Sequence, residues 1–181
     1  MQSKGNSLKL NYCRRCGEKL AHVRNHIFVC SNNHTIFANS TPTVGIFFVT
    51  QTNTILLSRR AIEPWKGWLD SVGGFLDGAE TFEHAAEREI EEELGLSPKD
   101  FTSLSYLCSS TGTYIYQDET LSIVNVFFWT RLLTTATISP KDDVAETVEI
   151  TFDTDIDALQ MDEQIKVGLR HLLEKRRNHE L

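Results

Sequence analysis

The sequence predicts an α/β protein whose main domain is preceded by a small metal-stapled module, and three observations carry that expectation. Apolar, β-branched runs recur between Val44 and Phe152 as candidate strands, whereas two segments, Glu80 to Gly95 and Asp162 to Arg177, space their apolar residues at the helical period. Ahead of both lie two short knuckles of cysteine and histidine at the separation usual for a tetrahedral zinc site. With 181 residues and 40% hydrophobic content, the chain can bury one sizeable core and carry a small appendage.

The knuckles read Cys13-Arg-Arg-Cys16-Gly17 and Cys30-Ser-Asn-Asn-His34. Three thiolates and an imidazole fill four zinc positions and leave none open for water, so a zinc held by Cys13, Cys16, Cys30 and His34 would be structural. Gly17 permits the turn that lets backbone amides face the sulfur. A redox pair or unrelated buried cysteines compete with this reading, and His22 and His26 stand as alternatives to His34. Cys108, far downstream, reads as a buried small hydrophobe. A module this short cannot fold on a core of its own, so metal binding would be folding energy for it. Asn39-Ser40-Thr41-Pro42 is a turn and capping cluster, which sets the expected domains at 1–40 and 41–181.

Val44 to Thr50 and Thr54 to Ser58 read as a strand pair joined by Gln51-Thr52-Asn53. Arg59 and Arg60 follow, then an irregular loop, Glu63-Pro64-Trp65-Lys66-Gly67-Trp68. Trp65 and Trp68 could stack on a nucleobase or pack in the core, and Arg59, Arg60 and Lys66 could meet phosphate or stay solvated. In the first helix Phe82, Ala86, Ile90 and Leu94 make one apolar stripe, ended by Gly95. Glu89, Glu92 and Glu93 stand at i, i+3 and i+4, beside that stripe and not opposite it. Like charges so placed each cost a helix roughly 0.2–0.5 kcal/mol. Arg88 cannot neutralise them alone, whereas a hard divalent cation, Mg²⁺ or Mn²⁺, binds clustered oxygens readily. A solvated acidic helix face is the competing reading.

Leu104 to Ser110, Tyr114 to Gln117 and Leu121 to Leu133 read as strands, with Asp118-Glu119 at a turn; Val148 to Phe152 is another strand, and the helix from Asp162 closes the domain with its basic residues at the C-terminal end.

The stretch from Gly73 to Leu96 resembles the Nudix hydrolase signature, whose fixed positions are all filled by Gly74, Glu80, Arg88, Glu89, Ile90, Glu92, Glu93, Gly95 and Leu96. Chance agreement is on the order of 10⁻⁹ per starting point. The resemblance implies an α/β/α sandwich with a mixed sheet, and hydrolysis of a nucleoside diphosphate linked to another group. It further implies Mg²⁺ or Mn²⁺ on Glu89, Glu92 and Glu93 with the Gly73 carbonyl as a further ligand, Arg88 orienting Glu92, and Glu80 supporting the loop and helix. Glu89 is the first choice of general base, Glu146 the best placed of the downstream acids, and Glu119 the runner-up. The loop that holds Trp65 and Trp68 flanks the substrate in many such proteins.

The N-terminal module resembles the zinc ribbon of the NADH pyrophosphatase group, although His34 stands where a second Cys-x-x-Cys is usual. Val72 replaces a customary proline. The Ser-Gln-Pro-Trp-like array that accompanies NAD(H) specificity is missing, and Ser109 to Tyr114 stand there instead. ADP-ribose or a related small nucleotide diphosphate is therefore the favoured substrate, with NADH, an oxidised nucleoside triphosphate, or a non-catalytic ligand sensor as alternatives. The formal charge of −7 makes a general nucleic-acid partner unexpected. No apolar run reaches membrane-span length and the start lacks a signal-peptide core, so a cytoplasmic chain without membrane contact is expected, and a homodimer is left open.

Overall fold

The computed structural model describes residues 10–117, 119–134 and 136–181; Asp118 and the first nine residues of the expected ribbon lie outside them. Their contacts divide the chain into two units. One joins the stretch up to Thr41 with Thr113–Ile123, and the other joins Pro42–Gly112 with Val124–Leu181. That the small unit takes in a second, distant segment was not legible in the sequence.

In the small unit β1 (Leu20–Arg24), β2 (Ile27–Cys30) and β3 (Thr35–Phe37) form an antiparallel three-stranded sheet. Phe28, Cys30 and Ile36 turn to one face, where they join Cys13 and Ala38 in a small core. Alternation of side chains along a strand leaves Ile27, Val29 and Phe37 on the other face.

The remaining strands are β4 (Thr41–Val49), β5 (Ile55–Arg60), β6 (Leu69–Asp70), β7 (Ser105–Tyr116), β8 (Glu119–Arg131) and β9 (Val144–Ile150). Their order is β6-β5-β4-β8-β7, with β9 on β5. β5 pairs antiparallel with β4, β6 and β9, while Leu69 makes a parallel bridge to Met161, so the sheet is mixed. The helices are α1 (Phe82–Leu94) and α2 (Glu163–Arg177).

The period of two along β4 sorts the core of the large unit into two layers. Val44, Ile46 and Phe48 pack with Ala85, Ala86, Ile90 and Leu94 of α1. Phe47 and Val49 pack with Leu169, Leu172 and Leu173 of α2. The expected α/β/α sandwich is therefore present, one helix to each sheet face. No helix among the described residues is long and apolar enough to cross a membrane.

Three expected strand limits are corrected. Leu104–Ser110 and Tyr114–Gln117 are one strand, β7, which runs through Gly112 because Gln164 of α2 packs where a Cβ would stand. The following strand starts at Glu119, two residues earlier than expected. β9 spans Val144–Ile150 and not Val148–Phe152, since its register on β5 pairs Arg59 with Glu146 and Arg60 with Val144. Glu146 consequently sits in a strand and not in a loop.

Candidate active site and metal centre

Helix α1 begins where Thr81, in extended conformation, accepts the His84 amide, and ends at Gly95 in the left-handed region. Of the expected apolar stripe, Ala86, Ile90 and Leu94 are fully buried, and this fixes the helix's rotation. Glu89 and Glu93, one turn apart, must then face inward too: they are 9% and 6% exposed.

What they face is the backbone of Val72 to Gly74. This segment is zipped onto β4 by Ile46 N–H to the Val72 carbonyl, 2.7 Å, and Val44 N–H to the Gly74 carbonyl, 2.9 Å. Gly73 has φ 139°, and a Cβ there would strike the Val44 carbonyl. Its N–H donates to Glu93 Oε2 at 3.0 Å, while its own carbonyl accepts no hydrogen bond among the described residues. At Gly74 a Cβ would lie 2.6 Å from Glu89 Oε1. Paired glycines are what let two carboxylates approach the main chain.

Arg88 uses all five of its N–H donors. Nε and one NH2 hydrogen grip both oxygens of Glu80, the other NH2 hydrogen reaches the Phe75 carbonyl, and NH1 serves Glu89 at 2.9 Å and Glu92 at 2.8 Å. It therefore braces three glutamates, more than the one the sequence suggested. Glu80 also accepts the Asp77 amide, and Arg88 holds its carboxyl down at about 2. Glu92 stays exposed.

The buried pair behaves oppositely. Burial pushes the Glu93 carboxyl up to about 9 against the opposing Gly73 N–H, and the charges of Glu89, Asp70 and Asp143 push the same way. Burial likewise raises Glu89, opposed by Arg88 and reinforced by Glu92 and Asp142. Glu93 has no cationic partner among the described residues. Buried hard oxygens under mutual repulsion, beside an unused backbone carbonyl, fit a divalent cation.

Sequence reasoning missed Asp142 and Asp143, which lie in the loop between β8 and β9. That loop is docked on the end of α1: Ser139 N–H bonds the Leu94 carbonyl and Lys141 N–H the Glu93 carbonyl, satisfying two helix-terminal acceptors. Ala61 N–H holds the Asp143 carbonyl at 2.7 Å. Adjacent aspartates just after Pro140 were the available signal.

The other candidates are placed elsewhere or engaged. Glu146, 59% exposed in its side chain, pairs with Arg59 at 2.7 Å, and Arg59 also bonds the Gly67 carbonyl. Arg60 bonds Asp70 at 3.1 Å and the Pro64 carbonyl. Trp65 and Trp68 are half-buried with ring centroids 6.2 Å apart. Glu119 is exposed at the start of β8.

In the small unit the two knuckles meet. Gly17 N–H closes the first on the Cys13 carbonyl with φ 76°, and Asn33, φ 59°, turns the second. The ligand atoms of Cys13, Cys16, Cys30 and His34 all lie within 4.8 Å of one another. Cys16 Sγ to Cys30 Sγ is 3.7 Å, and Cys13 Sγ to His34 Nδ1 is 3.6 Å. A zinc tetrahedron with bonds of about 2.3 Å to sulfur and about 2.05 Å to nitrogen has edges of about 3.8 and about 3.6 Å. The cluster has the size of that ion's ligand shell. His22 bonds the Asn25 carbonyl and His26 lies against Phe37, so neither belongs to the cluster.

The NUDIX domain family matches residues 39–173. An ADP-ribose pyrophosphatase of Methanocaldococcus jannaschii is 47% identical over 51 residues, 28% of this chain and 30% of that protein. The human mitochondrial NAD(P)H pyrophosphatase is 32% identical over 99 residues, 54% of this chain and 27% of the relative. The matches thus span under a third of these relatives' lengths. Among solved structures, a NUDIX hydrolase from Nitrosomonas europaea superposes with a TM-score of 0.67 at 20% identity, covering 93% of each chain, a likeness of fold.

Proposed function

The chain belongs to the NUDIX domain family, and from that premise we propose that it is a metal-dependent hydrolase of nucleoside diphosphates linked to a further group, with ADP-ribose-like molecules favoured. The observation that carries this is the pair Glu89 and Glu93, buried against the Gly73–Gly74 backbone without enough positive charge. Such a pair is costly in a resting fold and serves a site that holds a cation.

Glu89, Glu92, Glu93 and the Gly73 carbonyl would hold Mg²⁺ or Mn²⁺. The bound ion supplies neutralisation of diphosphate oxygens and a water of lowered pKa. Arg88 keeps Glu89 and Glu92 in fixed rotamers, while the zipped glycine loop fixes the height of the backbone above them. Glu89 is the preferred proton acceptor. Among downstream acids, the docked loop favours Asp142 over Glu146, whose carboxylate is already paired with Arg59. Trp65 and Trp68 would offer a π surface to a base.

Residues 1–40 would form a zinc ribbon and 41–181 the hydrolase domain, with zinc on Cys13, Cys16, Cys30 and His34. The edge lengths of that cluster support the assignment. Substrate ranking rests on the missing NAD(H)-type array and on the stronger local identity to an ADP-ribose pyrophosphatase. The test is a panel of purified substrates with Mg²⁺ and Mn²⁺, products separated by chromatography. ADP-ribose should be turned over faster than NADH at equal concentration; NADH as the best substrate with inert ADP-ribose reverses the ranking.

A further inference from the structure

The formal charge of −7 averages two parts of opposite sign. Residues 1–40 carry six lysines and arginines against one glutamate, whereas residues 41–181 carry twelve against twenty-four aspartates and glutamates. A basic module on an acidic chain calls for an anionic partner of its own. Arg14, Arg15, Lys19 and Arg24 are all exposed, and none forms an ion pair among the described residues.

The sheet register decides where this charge lies. Leu20 pairs with Cys30, and both turn toward the small core. Alternation then puts Lys19 on the outer face, and Tyr12, bridged to Lys19, beside it. At the other end Arg24, Ile27 and Phe37 stand in one row across β1, β2 and β3. Phe28 and Ile36 are buried on the inner side, so that row is also outer. The outer face thus has Ile27 and Val29 at its centre, exposed aromatics in Tyr12 (62%) and Phe37 (50%), and a cation at each end. His26 extends the aromatic surface at Phe37, ring centroids 5.8 Å apart.

Flat aromatics between spaced cations match a strand of nucleotides whose bases are unpaired: each base offers a π face and each linkage one negative charge. A folded acidic protein offers the charge but no row of π faces. We infer that the outer face of the β1–β3 sheet docks single-stranded nucleic acid, with Tyr12 and Phe37 stacking on bases and Lys19 and Arg24 contacting phosphates. The site belongs to the small unit alone and does not depend on the hydrolase reading.

The test is fluorescence anisotropy of a fluorescein-labelled oligouridylate with the full chain purified in zinc, over a series of salt concentrations. Single-strand binding loses about 0.7 in log–log salt slope per phosphate contact, so Lys19→Gln/Arg24→Gln should flatten the slope by about 1.4. Phe37→Ala should weaken binding roughly tenfold, and Phe37→Tyr should restore it. Zinc content and turnover of a small diphosphate, measured on the same samples, should not change. If Phe37→Ala loses zinc, Phe37→Leu keeps the apolar bulk without the π face and reports stacking instead. Absence of binding at low salt overturns the inference. So does binding that heparin matches and Phe37→Ala leaves intact, which marks a generic polyanion patch, or binding to phosphatidylserine vesicles but not to the oligonucleotide.

Discussion

At the scale of single residues, Glu80 and Glu93 are carboxylates of one signature under opposite fields. Burial favours the neutral form of Glu93 in the metal-free fold, pushing its carboxyl up to about 9, above its unfolded value. The folded state then binds more protons, so this group's contribution declines as pH rises from about 4.5 to about 9. A glutamine there keeps the shape and escapes the penalty. Glu93→Gln should therefore raise the melting temperature of the chain in EDTA at pH 8 by a few degrees, with the gain fading toward pH 4.5, while metal-dependent turnover falls at least a hundredfold. Equal melting curves at both pH values would contradict the burial argument. Glu80 runs the other way: its folded value is lowered to about 2, so the stability drawn from Arg88 is complete above about 4.5 and is lost as pH falls through 2. Urea midpoints of the wild type and Glu80→Gln should differ at pH 7 and converge only below about pH 2.

At the scale of elements, the signature helix and the glycine loop act as one part. Gly74→Ala places a methyl on Glu89, so kcat/KM should drop by about a hundredfold with the fold retained. Gly73→Ala meets both a left-handed φ and the Val44 carbonyl, and should also cost about 2–4 kcal/mol of stability by urea denaturation. A Gly74→Ala variant with native kinetics would show that Glu89 does not need its present position. Helix α1 was legible to within two residues because the apolar stripe and the C-terminal glycine agree. So was α2, whose N-cap Asp162 accepts the Gln164 amide. What was not legible came from tertiary contact. Gly112 looks like a break until Gln164 covers it, Glu146 looks like a loop acid until β9 registers with β5, and Asp142 gains interest only once its loop caps α1. Local pattern reports propensity and period, whereas register and loop docking depend on partners far along the chain.

At the scale of the molecule, the two units have separate cores and should lose structure separately. The small core holds few apolar side chains, so its folding should depend on the metal, whereas the two layers around the large sheet do not. Protein purified without chelator should contain about one zinc per chain, and Cys16→Ser/Cys30→Ser should lose it. Calorimetry of that variant should retain the main transition of the large unit. Zinc retained undiminished in the double variant would remove the ribbon assignment.

The most direct measurement is hydrolysis of ADP-ribose by the purified chain with Mg²⁺ or Mn²⁺, with products resolved by chromatography, in the wild type and in Glu93→Gln. The arrangement of Glu89, Glu93 and the Gly73 carbonyl predicts a nucleoside monophosphate and a sugar phosphate from the wild type, with both abolished by EDTA and nearly absent in Glu93→Gln. Turnover that persists in EDTA, or that Glu93→Gln carries out at the wild-type rate with limiting metal, would contradict a cation held by these residues.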